Sequence, residues 1–239
     1  MKPIPIAVGF DQRESAVYHT FCQSVIESSS VPVMFIPLSE NLLKFDGQQD
    51  GSNAFIYSRY LVPWLFGFQD VTAFFFDGDM IVNDDIADLL QCVDESKAVS
   101  CVQHDYKTKH TRKYIGSPME SKNEDYPRKN WSSVLHWNCG HPRNKILTKG
   151  FVANAGGRML HRFEFLKDDE VGELPKRWNW LVGEYEENSN AACHHYTLGA
   201  PGFEHYDHCD NSRRWKSALL RANNLSGVEP VTLMKRAWK

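Results

Sequence analysis

Two aspartates separated by one glycine are the strongest chemical feature of the sequence. Asp77 and Asp79 follow the apolar run 73–76, which predicts a strand buried on both faces, and apolar residues resume directly afterwards. In extended backbone these two side chains point the same way, and neighbouring carboxylates repel each other unless a proton or a cation lies between them. Gly78 carries no side chain and would let a large ligand approach the backbone. The segment predicts a divalent metal at the carboxyl end of a sheet, where open α/β folds bind ligands. The simpler alternative is a pair of solvated aspartates in a turn.

Histidines cluster late in the chain, beside a loop that contains glycine and proline. One alternative is a zinc site, although the spacing matches none of the usual zinc patterns; its ligands would be Cys193, His195, His205 and Cys209. The other alternative, which we favour, is that a histidine joins the metal held by the two aspartates.

The turn after the first predicted strand is a second candidate binding element. It reads Gly9-Phe10-Asp11-Gln12-Arg13 and is not a G-x-G-x-x-G loop, which argues against a dinucleotide-binding fold. Phe10 could stack on a base, Asp11 could bind a ribose and Arg13 could meet a phosphate. Equally, Asp11 could cap the next helix by accepting hydrogen bonds from its first amides.

Two further polar residues stand in apolar surroundings. Arg59 lies on a helix that is otherwise mostly apolar, so its charge must reach solvent or find an anion. Asn138 follows a short apolar segment and offers a donor and an acceptor, which suits sugar hydroxyls. A turn asparagine that is satisfied by its own backbone is the alternative for Asn138.

The order of elements predicts an α/β fold with a mostly parallel central sheet flanked by helices. Strand, helix and strand at 4–9, 13–29 and 31–37 form a βαβ unit, which implies parallel strands. Residues 41–52 predict a loop, and the long polar segment 103–132 predicts a lid or an acceptor-binding element. The remaining predictions are the strand that ends in Asp77 and Asp79, strands at 98–102 and 134–137, and helices at 54–66, 86–92, 148–166 and 211–223.

Composition narrows the classes of function. The net charge of −3 and pI of about 6.4 argue against non-specific binding to nucleic acid or anionic membranes. Six cysteines form no C-x-x-C pair, and a chain of 239 residues with 42% apolar residues does not need disulfides, so we expect reduced thiols and a cytoplasmic protein. No signal peptide precedes the first strand, and no apolar run approaches the roughly 20 residues of a transmembrane helix.

Together these segments resemble a glycosyltransferase of the GT-A fold, most closely the family 8 type and its bacterial and viral relatives. The first strand and turn resemble the family's uridine-binding turn, and Asp77-Gly-Asp79 resembles its metal-binding Asp-x-Asp. The other matches, in the family's order, are Ile56-Tyr-Ser-Arg59 for the helix whose basic residue faces the donor, Trp137-Asn-Cys-Gly140 for Phe-Asn-Ala-Gly, Asp168-Asp169-Glu170 for Asp-Gln-Asp, and His195-Tyr-Thr-Leu-Gly199 for the late His-x-x-Gly loop.

The resemblance implies a single glycosyltransferase domain over residues 1–239, with a nucleotide-binding half at 1–102 and an acceptor- and sugar-binding half at 103–239. It implies a nucleotide-sugar donor such as a UDP-sugar, a saccharide or glycoconjugate acceptor, and retention of anomeric configuration. Manganese, with magnesium possible, would be held by Asp77, Asp79 and His195. Asn138 and Asp169 would orient the sugar, and the nucleotide would contact Gly9, Phe10, Asp11, Arg13, Arg59, Asp77, Gly78 and Gly199.

The sequence departs from the family in the late loop. Three residues separate His195 from Gly199, where the family has two, and Ala200-Pro201-Gly202 stands where the family has a diphosphate-binding lysine. Another cation must replace that lysine, and the sequence offers Arg59, Lys216 and Arg13.

Two other classes of protein also fit parts of the sequence. In a phosphatase of the haloacid dehalogenase type, Asp77 would be the nucleophile and Asp79 the general acid. That motif normally opens the chain, whereas here a βαβ unit precedes it. A non-catalytic nucleotide- or carbohydrate-binding protein is the second alternative, and it would not need the carboxylate pair and the histidine.

Overall fold

The computed structural model describes residues 2–44 and 53–224. Eleven strands lie in these ranges: β1 (Ile4–Gly9), β2 (Val33–Leu38), β3 (Thr72–Phe76), β4 (Met80–Val82), β5 (Val99–Cys101), β6 (Arg112–Lys113), β7 (Ser121–Lys122), β8 (Val134–Asn138), β9 (Val171–Glu173), β10 (Trp180–Leu181) and β11 (Cys193–His195). The α-helices of the same ranges are α1 (Ser15–Ser28), α2 (Glu40–Leu43), α3 (Val62–Leu65), α4 (Ile86–Gln91), α5 (Lys149–Asn154), α6 (Gly157–His161) and α7 (Ser212–Ala222).

A six-stranded sheet in the order β2-β1-β3-β8-β5-β9 forms the centre of the fold. The strands of this sheet run parallel except β8, which is antiparallel to both of its neighbours. The mostly parallel sheet confirms the predicted fold class, and β1, α1 and β2 form the predicted βαβ unit. A smaller sheet, β10-β11-β4, stands beside the central one, and β6 and β7 form a short hairpin.

The aromatic strand β3 is buried on both faces, as its composition predicts. Phe74 and Phe76 belong to one apolar cluster, in which the ring of Phe21 from α1 lies 5.2 Å from that of Phe76. Phe75 points to the opposite cluster, which contains Tyr60 and Trp137. Because alternate side chains enter two different cores, helices must cover both faces of the sheet.

The predicted strand ends at Phe76, directly before the two aspartates, and the apolar residues that resume after Asp79 form a separate strand in a second sheet. β3 belongs to the central sheet and β4 to the smaller one, and Asp77-Gly78-Asp79 is the link between them. The amide of Asp77 donates to the carbonyl of Ser133 (2.9 Å) instead of continuing the ladder to β1. The two aspartates therefore stand at a corner of the fold rather than along a straight strand.

Two predicted helices are shorter than their apolar patterns suggested. In the segment 54–66, a 3₁₀ turn (Ser58–Leu61) leads into α3, where Pro63 occupies the first turn because proline lacks the amide that later turns require. The predicted helix 148–166 is divided into α5 and α6 at Ala155, where the backbone is extended. The predicted loop 41–52 begins inside α2, and residues 45–52 of it lie outside the described ranges.

The predicted C-terminal helix is present as α7 and packs on α1. Trp215 of α7 is fully buried in a cluster with Val17 of α1 and Ile81 of β4. The guanidinium of Arg221 forms two hydrogen bonds with the Glu27 carboxylate at the end of α1. A bilayer-spanning helix would need a longer apolar run than any helix of the described ranges provides.

Candidate metal centre

The pairing of β4 with β11 brings the late histidine to the two aspartates. These strands are antiparallel, and Met80 lies opposite His195, so the residue that precedes β4 stands beside the end of β11. The amide of Tyr196 closes the pairing by donating to the carbonyl of Asp79 (2.9 Å). As a result, Nε2 of His195 lies 3.3 Å from Oδ1 of Asp79 and 4.0 Å from Oδ2 of Asp77.

The chemistry of this cluster fits a divalent cation. One ligand atom from each of Asp77, Asp79 and His195 can be chosen so that all three lie within 4.8 Å of one another. Oδ1 of Asp79 is buried and accepts no hydrogen bond from the described residues, so it is a charged acceptor that needs a positive partner. Two carboxylate oxygens and one imidazole nitrogen suit manganese or magnesium better than a soft metal.

Asn179 orients the imidazole. Its side-chain oxygen lies 2.8 Å from Nδ1 of His195, so Nδ1 donates its proton there and the lone pair of Nε2 faces the carboxylates. The amide nitrogen of Asn179 donates to the carbonyl of Asn130 (3.3 Å), which fixes the orientation of the amide. Sequence reasoning missed Asn179, because only the strand order shows that the turn after β9 meets β11.

Arg59 forms an ion pair with an anion, whereas the other possibility that we considered was that its charge reaches solvent. The residue is 5% exposed, and its Nη1 lies 2.9 Å from Oδ1 of Asp77. The same nitrogen donates to the carbonyl of Ser132 (2.8 Å). The guanidinium also lies over the rings of Phe55 and Phe75, at 5.4 and 4.9 Å from their centroids. These contacts hold Arg59 beside Asp77 and neutralise part of the charge of the cluster.

Burial makes two carboxyl groups of the site hard to ionise in the metal-free protein. Burial raises the pKa of Asp77 to about 6, and Asp79 adds to the rise while Arg59 opposes it. Burial raises the pKa of Glu14 to about 9, with further contributions from Asp79, Asp11 and Asp77. Glu14 is 8% exposed, and its Oε2 has no hydrogen-bond partner among the described residues. No local pattern in the sequence marks Glu14 as a buried acid, because a glutamate at the start of a helix is common.

A cavity of about 80 Å³ lies beside the carboxylates. Its walls include Lys113, Tyr114 and Tyr126 from the predicted loop 103–132, and Asn130, Ser132 and Ser133 from the entry to β8. The hydroxyl of Tyr114 lies 3.5 Å from Oδ2 of Asp79, and Tyr114 has a left-handed backbone (φ 54°), a strained conformation for a bulky residue. The described residues leave room for a cation and a few waters, whereas a nucleotide sugar needs several times that volume.

Asn138 and Asp169 lie away from this cavity, so their predicted contact with the donor sugar is not supported. In the antiparallel pair β3–β8, Phe76 lies opposite Val134 and Thr72 opposite Asn138, which places Asn138 about 13 Å along the strand from the metal edge. The Asn138 side chain donates to the carbonyl of Glu95.

Asp169 stands at the same remote edge, because it is exposed and precedes β9, which runs parallel to β5. The direction of β8 explains the error over Asn138: residues that precede this strand reach the metal edge, whereas residues that follow it do not. Asn130, Ser132 and Ser133 hold the places that the sequence prediction gave to Asn138.

The turn after β1 lies at the metal edge, but its charged residues are engaged with each other. Asp11 is buried and accepts hydrogen bonds from the amide, Nε and Nη2 of Arg13 and from the amide of Ala54. Burial favours a higher pKa, yet these hydrogen bonds hold the pKa of Asp11 below its usual value. The capping alternative therefore describes Asp11 in this structure. Phe10 is half-buried and packs edge-on against Tyr18, with 5.4 Å between the ring centroids.

The three predicted glycine contacts are occupied by the protein itself. A Cβ atom on Gly9 would lie 2.4 Å from the ring of Phe55, and one on Gly78 would lie 2.6 Å from the carbonyl oxygen of Gly9. At Gly199, which has a φ of 151°, a Cβ would lie 2.3 Å from the ring of Tyr206. Gly78 thus admits the end of β1 rather than a ligand, and this contact fixes the corner that carries the two aspartates.

The zinc alternative finds no support in the described residues. The thiol of Cys193 is buried and lies 3.8 Å from the sulfur of Met80. Across residues 2–44 and 53–224, the one group of three or more potential ligands close enough to share a metal is Asp77, Asp79 and His195. The six cysteines are all free thiols, as expected.

A curated protein is similar to this chain over most of its length. Protein CDI from Arabidopsis thaliana is 37% identical over 233 residues, which cover 93% of this chain and 88% of the relative. No protein-family model matches the sequence.

Similar solved structures are glycosyltransferases of the GT-A fold. The bifunctional glycosyltransferase WbbM has a TM-score of 0.63 at 13% identity, and the match covers 99% of this chain but 52% of WbbM. GlyE of Streptococcus pneumoniae gives 0.58 at 12% identity, covering all of this chain and 63% of GlyE. The galactosyltransferase LgtC, in complex with donor and acceptor sugar analogs, gives 0.57 at 13% identity over 94% of this chain and 98% of LgtC. The chain thus spans about half of WbbM and less than two thirds of GlyE, and at these identities the likeness establishes the fold.

The raised pKa of Glu14 predicts how stability changes with pH in the metal-free protein. The ordinary pKa of about 4.5 applies to the unfolded chain and about 9 to the folded protein, so the contribution of Glu14 to stability is full below pH 4.5 and is lost as pH rises towards 9. Glu14→Gln cannot ionise. We expect it to raise the melting temperature in chelator at about pH 8.5 by several degrees, since about 1 kcal/mol corresponds to roughly 2–4 °C in a domain of this size.

The same comparison at about pH 4.5 is the control, where we expect the two proteins to melt within about 1 °C of each other, less than the 2–4 °C that one kcal/mol produces. A gain of equal size at both pH values would show that the effect is one of packing and that Glu14 is not a buried neutral acid.

The orienting contact of Asn179 predicts a loss of metal affinity on its removal. We expect Asn179→Ala to weaken manganese binding about 10- to 100-fold, the usual cost of removing a group that orients a ligating histidine. Calorimetric titration of the purified protein measures it, with Asn154→Ala, an exposed asparagine on α5, as the matched control. Unchanged affinity in Asn179→Ala would show that His195 does not need this contact or does not bind the metal.

The raised pKa of Asp77 predicts that manganese competes with a proton. At pH 7.5 the carboxylate is almost fully ionised, whereas at pH 5.5 about a quarter is, so its titration alone should raise the apparent Kd about fourfold. A Kd that stays constant between these pH values would contradict the assignment of Asp77 as a ligand.

Proposed function

Because this chain belongs to the family of Protein CDI from Arabidopsis thaliana and has the GT-A fold, we propose that it is a metal-dependent glycosyltransferase. Its donor would be a nucleotide-diphosphate sugar of the UDP-sugar type, and its acceptor a hydroxyl group of a saccharide or glycoconjugate. The name of the relative states no reaction, so the proposal rests on the fold and the site. The observation that carries it is the convergence of Asp77, Asp79 and His195 at the edge of the central sheet.

The reaction requires a diphosphate to leave the anomeric carbon. A divalent ion, manganese or magnesium, would neutralise the charge that develops on the diphosphate oxygens. The role of the protein is to hold the ligands of that ion in place before the donor arrives. Arg59 locks Asp77, the β4–β11 register sets the distance from Asp79 to the imidazole, and Asn179 sets the direction of Nε2.

The nucleotide would bind at the end of β1, next to the metal edge. In the parallel pair β1–β3, Val8 lies opposite Phe76, so the turn at Gly9 and Phe10 stands beside Asp77. We propose that the half-buried Phe10 ring contacts the uracil, and that Asp11 and Arg13 shape the turn through their mutual ion pair (2.6 Å). Residues 1–102 would then form the nucleotide-binding half and residues 103–239 the acceptor half.

The walls of the cavity favour retention of anomeric configuration. Inversion needs a general base within hydrogen-bond reach of the acceptor hydroxyl. Among the described residues that line the cavity, the carboxylates are the two proposed metal ligands, Asp77 and Asp79. Asp169 is exposed and lies at the opposite edge of the sheet, so it would not supply this base.

The sugar of the donor would be oriented by the entry to β8. Asn130 lines the cavity and donates hydrogen bonds to the hydroxyls of Tyr106 (2.8 Å) and Thr197 (3.3 Å). Its backbone is left-handed (φ 62°), a conformation that asparagine adopts more readily than most residues. We propose that Asn130 has the sugar-orienting role first given to Asn138.

The phosphatase alternative fits the site less well. An aspartate that attacks phosphorus must present a free carboxylate oxygen. Asp77 is 13% exposed, and Nη1 of Arg59 lies 2.9 Å from its Oδ1. No described feature favours this reaction over glycosyl transfer.

The central experiment tests whether the metal centre is needed for transfer. We expect Asp79→Ala to lower sugar transfer from UDP-sugars at least 100-fold while the fold is retained, because it removes a metal ligand and its buried charge. Transfer is followed as UDP release over a panel of saccharide acceptors, and folding by circular dichroism. Asp169→Ala, at the remote edge, is the matched control and should transfer at the wild-type rate.

A chelator should abolish wild-type transfer, and added manganese should restore it. Full activity of the wild type in saturating chelator would refute the mechanism, and release of phosphate from an aryl phosphate without any sugar transfer would favour the phosphatase instead.

A further inference from the structure

The charges at the metal centre leave the diphosphate of a donor only partly balanced. Asp77 and Asp79 carry two negative charges, and Arg59 offsets one of them through its ion pair. A divalent ion brings the local sum to about +1, whereas a nucleoside diphosphate that leaves carries about −3, since each ionised phosphate oxygen adds one charge. A further cation at the cavity would make up part of the difference. The loop after His195 offers none, because it reads Tyr196 to Gly202 without a charged residue.

The three cations that the sequence offered for this role are engaged elsewhere. Nζ of Lys216 lies 2.6 Å from a carboxylate oxygen of Asp207 and donates to the backbone carbonyl of the same residue. Arg13 is paired with Asp11, and Arg59 is held against Asp77 between two aromatic rings.

Lys113 reaches the cavity from the β6–β7 hairpin. It lines the cavity together with both aspartates, and among the described lining residues Lys113 is the one lysine and Arg59 the one arginine. Burial lowers the pKa of Lys113, while Asp79 and Asp77 oppose that shift, so the ammonium group lies within the electrostatic field of the metal ligands.

The backbone next to Lys113 is fixed to the metal centre. Tyr114 is 2% exposed, its amide donates to the carbonyl of Leu198 (2.6 Å), and its hydroxyl approaches Asp79. The amide of Ile115 donates to the hydroxyl of Tyr206 (3.1 Å). These contacts anchor the hairpin against the uncharged loop 196–202. Lys113 therefore adds a positive charge beside a loop that has none.

We propose that Lys113 binds the diphosphate of the donor, supplying from the hairpin the positive charge that the loop after His195 lacks. This inference rests on the proposed function and names a residue outside the three cations that the sequence offered for the diphosphate. Lysine suits the role because its ammonium is a compact charge on a flexible stem and can follow a phosphate oxygen.

The test compares ligands that differ in their phosphates. The affinities of UDP, UMP and uridine are measured by calorimetry with saturating manganese, for the wild type, Lys113→Met and Lys113→Arg. We expect Lys113→Met to weaken UDP binding at least tenfold and uridine binding less than twofold, and Lys113→Arg to recover most of the UDP affinity. Lys122→Met is the matched control, because this exposed lysine lies on the other strand of the same hairpin and should bind UDP as the wild type does.

Each other outcome overturns the inference in a distinguishable way. If the wild type binds UDP with manganese and Lys113→Met binds it equally well, Lys113 has no role in binding and the proposed function stands. If UDP and uridine binding fall by the same factor, the loss is structural. If the wild type binds no nucleoside diphosphate in the presence of metal, the proposed function fails together with this inference. Lys113→Gln, which keeps the stem and a polar end, replaces Lys113→Met if the latter does not fold.

Discussion

Two carboxylates enclosed at one corner of a sheet repel each other, and much of the surrounding structure compensates for that repulsion. Asp77 and Asp79 are both mostly shielded from water, and the backbone between them turns from the central sheet into the smaller one. Taking charge out of water is costly unless opposite charge or hydrogen bonds replace the lost solvation. Arg59 supplies one compensating charge from a short helical segment, and the imidazole of His195 approaches from β11. Oδ1 of Asp79 remains without a hydrogen bond from the described residues, and that remaining deficit is what a cation would correct.

The direction of each strand decides which residues meet this corner. The carboxyl ends of β1, β3, β5 and β9 lie at one edge because these strands are parallel. Residues that follow them, such as Phe10, Asp77 and Asn179, therefore gather at that edge. In antiparallel β8 the rule is reversed, so Asn130 and its neighbours reach the site by preceding the strand. The direction of β8 therefore decides which asparagine lies at the metal edge: Asn130 lies there, and Asn138 does not.

The sequence was sufficient for the features that rest on local pattern. The aromatic run before Asp77, the βαβ unit and the α7 helix follow from hydrophobic periodicity, and they appear with bounds within a few residues of those predicted. The convergence of a candidate metal cluster could be predicted because a carboxylate pair and a histidine stand out in otherwise apolar segments.

Features that rest on strand pairing could not be predicted in the same way. β9, β10 and β11 are two or three residues long and have no periodic pattern, so the contact of Asn179 with His195 has no local signal. The glycines were expected to admit a ligand, whereas protein atoms pack against them in the structure. A sequence cannot distinguish these two cases, because each of them requires a residue without a side chain. Lys113 could not be singled out from the sequence, because it lies in a polar segment whose composition resembles that of any solvated loop.

The candidate metal ligands and the cavity wall come from different kinds of structural element, so they differ in how readily they can change. Asp77 and Asp79 lie in the link between β3 and β4, and His195 ends β11. Buried side chains fix the register of these strands, so altering the distances between the three residues would disturb two sheets. Lys113, Tyr114, Tyr126 and Asn130 come from the segment 103–132, which contains little regular structure beyond the β6–β7 hairpin. Loops of this kind tolerate substitution and insertion far better than the strands they connect. Under the proposed function, rigid elements would hold the metal chemistry, and the choice of sugar and acceptor would depend on a segment that can vary without loss of the core.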